Sequence, residues 1–166
     1  MEKEIWLAGG CFWGVEAYFQ MLKGVISTSV GYAQGNGIKP TYEEVCTGKT
    51  GYAETVKIIY NDNEIKLNAL LSHMFRFINP TSLNKQGADE GTQYRTGVYY
   101  SDKDDRACIL AFINQQKEYY ELPLVVEVEA IKNFFEAEDY HQDYLLKNPK
   151  GYCHVNLNLI KSSEKK

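Results

Sequence analysis

No apolar run in this chain approaches the ~20 residues that a membrane-spanning helix requires. A basic cluster is also missing. Lys and Arg number 18 against 22 Asp and Glu, a net charge of −4 with the signs interspersed. Without a positive stripe there is no electrostatic footprint for nucleic acid or an anionic membrane, and both partner classes are set aside. The four cysteines, Cys11, Cys46, Cys108 and Cys153, contain no C-x-x-C pair, and the three histidines, His73, His141 and His154, form no ligand cluster. That spacing argues against a structural zinc site, and no metal is expected. The opening MEKEIWLAGG lacks the basic-then-apolar pattern of a secretory leader, so a cytoplasmic location is expected. In a reducing cytosol, scattered cysteines are buried hydrophobes or redox workers. Repeats, linkers and low-complexity segments are absent too, and 166 residues suit one domain with a real hydrophobic core.

What the chain does have is tyrosine, 13 copies, a residue that buries area while keeping a hydroxyl for polar work. Periodicity predicts a short strand over 4–8. A helix follows from Cys11 on the steps Phe12, Val15, Phe19 and Leu22, and Gly24 closes it. Strands are expected over 25–33, 52–60, 95–100 and 124–131. Helices are expected around TYEEV, over Leu67–Ile78 up to Pro80, over 102–121 with Asp102 as cap, and over 136–147. Residues 79–94 carry no periodicity, and a segment of that kind inside a domain usually serves function. Strands and helices alternating unevenly imply an α/β (α+β) fold: a two-layer, mixed β-sheet with packed helices and long irregular segments. The tail from about residue 148 to 166 is expected to be irregular and flexible.

The informative stretch is GGCFWG at 9–14. A cysteine at a strand-to-helix turn faces the first free N–H groups of the helix, whose dipole favours an anion and lowers a thiol pKa. Two glycines let other groups approach the backbone closely. A buried cysteine in a Gly-rich turn would read the same way, and G-C-x-x-G alone favours that plain reading. Phe12 fits the apolar face of the helix. Trp13 does not, and could wall a small apolar group beside the sulfur.

GCFWGVE resembles the signature of the A-type peptide methionine sulfoxide reductases. The resemblance continues through GYAQG at 31, PTYEEVCTGKTGYAE at 40, NPTSLNKQGADEGTQYRTGVYY at 79 and AEDYHQDYL at 137. It implies reduction of the S epimer of methionine sulfoxide, free or in proteins, on a compact α/β fold. By that resemblance Cys11 is the nucleophile, and Phe12 and Trp13 hold the substrate methyl group. Glu44 is the acid that protonates the sulfoxide oxygen. Tyr32 and Tyr94 are the hydroxyl donors, and Asp89 is the acidic residue near the sulfur. Attack leaves a sulfenic acid, which a second thiol condenses into a disulfide. The resemblance gives that task to Cys153 in the tail, with thioredoxin (or dithiothreitol in vitro) as reductant and no bound cofactor. A monomer is expected. The chain departs from the common pattern at Tyr52, where the family often has histidine, and at Asn79, where it often has aspartate.

Three rivals remain open from the residues alone. A cysteine hydrolase would need His141 or His154 oriented on Cys11. An aromatic cage of Phe12, Trp13, Tyr32 and Tyr94 would bind without turnover. A thiol sensor would use oxidation of Cys11 as its signal.

Overall fold

The computed structural model describes residues 1–166. Its elements, in chain order, are β1 (Glu2–Gly9), α1 (Phe12–Gln20), β2 (Val25–Ala33), α2 (Tyr42–Cys46), β3 (Ala53–Asn61), α3 (Leu67–Phe77), β4 (Lys85–Gln86), β5 (Asp89–Glu90), β6 (Thr96–Tyr100), α4 (Lys103–Gln116), β7 (Glu127–Ala130), β8 (Phe134–Glu136) and α5 (Tyr144–Lys147). Six strands form one sheet in the order β7-β6-β1-β3-β2-β8, and β4 pairs with β5 in a small hairpin. All neighbours in the large sheet run antiparallel except β6 and β7. The expected mixed sheet with packed helices is therefore present.

Strand alternation decides where the core lies, because successive side chains point to opposite faces. On β1, Ile5 and Leu7 join the main core, while Trp6 and Ala8 face the other way with Ala33, Ala53 and Tyr99. On β3 the same alternation sends Val56, Ile58 and Tyr60 into the main core beneath α1 and α3. Glu54 shares their parity, so the strand directs its carboxylate inward, where it is 1% exposed.

The expected helix over 136–147 is not one helix. The segment comprises the end of β8, a 3-10 turn over Asp139–His141 and the single turn α5. Tertiary hydrogen bonds override its helical pattern. Gln142 takes extended backbone, its side chain accepting from Val30 N–H and donating to the Val30 and Ala137 carbonyls. Asp143 is left-handed at φ 54°, and its N–H donates to Glu16. The expected strand over 124–131 shortens to β7.

The tail returns over the α1 end of the molecule. Val155 and Ile160 are buried, Leu22 bridges to Lys165, and Arg76 holds the Glu164 carboxylate with two hydrogen bonds of 2.8 Å. No helix is long and apolar enough to cross a membrane.

Candidate active site

β1 runs through Gly9 into a left-handed Gly10 (φ 93°), and Cys11 becomes the N-cap residue of α1. A side chain at Gly10 would collide with Gln86 and with the His154 ring, at 2.8 and 2.9 Å from the new carbon. Glycine there lets the 79–94 segment and the tail close over the turn from both sides. Gly14 does the same one helical turn on, where an added carbon would lie 3.1 Å from the Cys153 sulfur. The resolving thiol assigned by resemblance thus packs on the same helix end as Cys11. Both thiols are free.

The helix start does not set the state of Cys11. The residue is 7% exposed. Burial pushes its thiol pKa well up, and the nearby charges of Glu54 and Asp89 push the same way against the Trp13 N–H, which favours the thiolate. The lowering expected from the helix N-terminus alone is therefore reversed by burial.

Glu54 is the most perturbed carboxyl at this turn. Its Oε1 accepts the Phe12 backbone N–H at 3.1 Å, while Oε2 is buried with no partner. Burial raises its pKa to about 8. A carboxyl of that kind is protonated at neutral pH, with Oε2 as the free place for the proton. Once ionised, its charge acts on Cys11, Tyr42 and Tyr94, so these four side chains form one cluster. Burial holds both tyrosine pKa values far above the ordinary phenol range, so both hydroxyls stay neutral; Tyr94 is coupled to Cys11 and Tyr42 to Glu54. Tyr42 also lies against the exposed thiol of Cys46. Asp89, on β5, accepts the Tyr152 hydroxyl at 2.9 Å, and its charge reaches Cys11. Cys108 sits apart, 3.1 Å from Asn68.

Phe12 is 1% exposed and packs 5.8 Å from the Tyr32 ring. Trp13 is half-buried and stacks face to face on Tyr144, with ring centres 3.7 Å apart. The two aromatics therefore split, Phe12 into the core and Trp13 half-buried at its margin against Tyr144. His141 and His154 are engaged elsewhere, with Trp13 and with the Gly9 carbonyl. Neither hydrogen-bonds to Cys11, which removes the Cys–His pair that a hydrolase needs.

Two residues named from the sequence are displaced by the geometry. Glu44 is exposed, and its carboxylate accepts the Thr41 backbone N–H at 2.9 Å while Thr41 Oγ1 accepts the Glu44 N–H. It closes the N-terminus of α2 and is not the buried acid. Tyr32 is fully buried, and its hydroxyl is committed to Glu138 at 2.8 Å. It is thus not a free donor at the sulfur. Glu54 and Tyr42 are the carboxyl and the phenol that sequence reading missed. The strand parity of Glu54 with Val56, Ile58 and Tyr60 was a usable signal for the first. Tyr42 carried no comparable mark.

The family model of peptide methionine sulfoxide reductase matches residues 3–166. The chain belongs to that family. Peptide methionine sulfoxide reductase MsrA of Clostridium acetobutylicum is 53% identical over 159 residues, covering 96% of this chain and 98% of the relative. The crystal structure of Mxr1 from Saccharomyces cerevisiae in reduced form is 37% identical with a TM-score of 0.88, covering 93% of this chain and 91% of that one. Mxr1 in complex with Trx2 is 25% identical with a TM-score of 0.62, covering 86% and 84%. As a member of the peptide methionine sulfoxide reductase family, the chain is an oxidoreductase whose reaction is the thiol-dependent reduction of methionine sulfoxide.

Proposed function

We propose that the chain reduces the S epimer of methionine sulfoxide, free or in oxidised proteins, with Cys11 as nucleophile and Glu54 as acid. The carrying observation is the buried Glu54 carboxyl, raised to about 8, with one oxygen on the helix start and the other unpartnered beside the Cys11 cluster. A protonated Glu54 serves twice. It removes a negative charge that opposes the Cys11 thiolate, and it offers a proton to the sulfoxide oxygen. The Cys11 thiol attacks, its S–O bond forming as the substrate S–O bond breaks; Glu54 gives its proton to the oxygen and takes up the thiol proton in return, and methionine leaves with the electron pair on its sulfur. Tyr42 and Tyr94 supply hydroxyls to the oxygen, and donors aimed at developing charge are often the largest part of catalysis. Phe12 and Trp13 hold the methyl group, and Asp89 orders the polar side of the substrate.

The Cys11 sulfenic acid then condenses with the Cys153 thiol, forming a disulfide and releasing water. A dithiol partner of the thioredoxin type, the class suggested by the Mxr1–Trx2 complex, reopens it by exchange. Four free cysteines suit a reducing cytoplasm, and we place a monomer there.

The test is a single turnover without reductant on separate S and R epimers, comparing the native chain with Glu54→Gln and Cys153→Ser. The native chain is expected to yield about one methionine per chain from the S epimer only, together with a Cys11–Cys153 disulfide. Glu54→Gln is expected to slow that step by roughly 10²–10⁴-fold, the range of a lost general acid. Cys153→Ser should still release methionine and form no disulfide. An unchanged rate in Glu54→Gln would remove Glu54 from the chemistry.

A further inference from the structure

Trp13 is only half-buried, yet two contacts fix its indole. Tyr144 covers one face at 3.7 Å with the planes 7° apart. The indole Nε1–H donates to His141 Nδ1 at 3.0 Å. A stack alone permits sliding and in-plane rotation. A hydrogen bond at the ring edge stops both. The indole offers only a donor, so Nδ1 must be the unprotonated nitrogen of a neutral imidazole, with its proton on Nε2.

His141 is itself immobilised. It is 0% exposed, with ring centres 5.2 Å from Phe12, 4.5 Å from Tyr42 and 4.1 Å from Tyr140. Its Nε2 is buried with no nitrogen or oxygen partner, so the ring's one polar tie is to Trp13. The segment around it is tied down on both sides. Glu138 accepts from the Tyr32 hydroxyl and the Tyr42 N–H, and Gln142 grips the backbone of β2. The ionisable groups facing His141 are Glu138 on its own segment, Glu43 and Tyr42 from α2, and Tyr140. The two carboxylates favour the charged form, but burial outweighs them and holds the imidazole below its ordinary range.

We propose that His141 is a positioning residue of the sulfoxide site: neutral His141 accepts the Trp13 indole N–H and thereby locks the indole as the wall against which the substrate methyl group seats. This rests on the reading of Phe12 and Trp13 as the methyl pocket. The arrangement holds the substrate in the ground and transition states alike, so its loss belongs in affinity and not in the chemical step.

The experiment measures single-turnover methionine formation against methionine sulfoxide concentration for the native chain, His141→Phe, His141→Asn and Trp13→Phe. Phenylalanine keeps the ring and deletes the acceptor. Asparagine returns an oxygen near the position of Nδ1. His141→Phe is expected to raise the half-saturating concentration by about tenfold, the scale of one buried hydrogen bond, with the saturating rate constant within about threefold. His141→Asn is expected to recover most of that loss. An unchanged half-saturating concentration in His141→Phe, a fall in the rate constant alone, or an asparagine variant no better than phenylalanine would overturn the proposal. Trp13→Phe separates the two layers. If it raises the half-saturating concentration while His141→Phe does not, the methyl pocket stands and the role of His141 falls. If it changes nothing, the pocket reading itself fails. Should the His141 variants not fold, the native chain still decides. Its Trp13 indole N–H proton resonance at neutral pH is expected at low field and slow to exchange, and a fast-exchanging, high-field signal would refute the lock.

Discussion

Thr41 and Glu44 exchange two hydrogen bonds at the first turn of α2, and that turn positions Tyr42 in the Cys11–Glu54 cluster. Thr41→Ala removes the side-chain cap of an exposed helix end, at a cost of about 1 kcal/mol. For a chain of this length that lowers Tm by roughly 2–4 °C, which a thermal melt would read. Glu44→Ala is expected to leave the single-turnover rate within about twofold, whereas Glu54→Gln collapses it by the 10²–10⁴-fold of a lost general acid. A rate lost in Glu44→Ala would reverse the two assignments. The distinction is legible in the order of the residues: T-x-x-E ahead of an apolar residue is a capping box. Glu54 is legible too, because it alternates with Val56, Ile58 and Tyr60 on one strand face. The choice between Tyr32 and Tyr42 is not. What takes Tyr32 out of play is Glu138, 106 residues away in sequence, and no local pattern announces such a partner.

Elements with a continuous apolar face were readable, as α1, α3 and the central strands demonstrate, since burial of one face is what selects them. The 136–147 segment was not, because its shape is set by side-chain hydrogen bonds to β2 and α1 and not by its own periodicity. The tail is a similar case. Its last residues are held where Glu164 meets Arg76, with His73 3.6 Å away, and where Lys23 and Lys166 N–H groups bond across to the tail and to Met21. Arg76 holds the Glu164 pKa down, at about 2. A carboxylate lowered in the folded state adds stability that is fully present above its unfolded value near 4.5, and that stability is lost as pH falls toward 2. Glu164→Gln is therefore expected to lower Tm at neutral pH and to flatten the acid limb between about pH 4.5 and 2. It should also speed hydrogen exchange at Lys23 and Lys166, and leave the amides of β3 protected. Exchange unchanged at those two amides would show that the apolar anchors Val155 and Ile160 suffice to hold the tail.

At the scale of the whole molecule, one buried carboxyl ties folding to chemistry. Packing α1 over β3 desolvates Glu54, and the same desolvation makes it an acid that still carries its proton at neutral pH. Its pKa is raised from 4.5 to about 8, so the folded state binds more protons than the unfolded chain between those values. Stability from this group is therefore highest below pH 4.5, declines as pH rises through the window, and levels off above about 8. Each pH unit in the window costs on the order of 1.4 kcal/mol. Denaturant melts from pH 5 to 9 are expected to show this decline in the native chain and to lose it in Glu54→Gln, which should be the more stable protein at pH 8. The single-turnover rate of the native chain should fall above about pH 8, as the acid form of Glu54 disappears. Stability and rate would then share one titration, read by two independent measurements. A stability difference between the native chain and Glu54→Gln that does not change between pH 5 and 8 would mean that Glu54 is ionised in the fold, and the acid would have to be sought in Tyr42 or Tyr94.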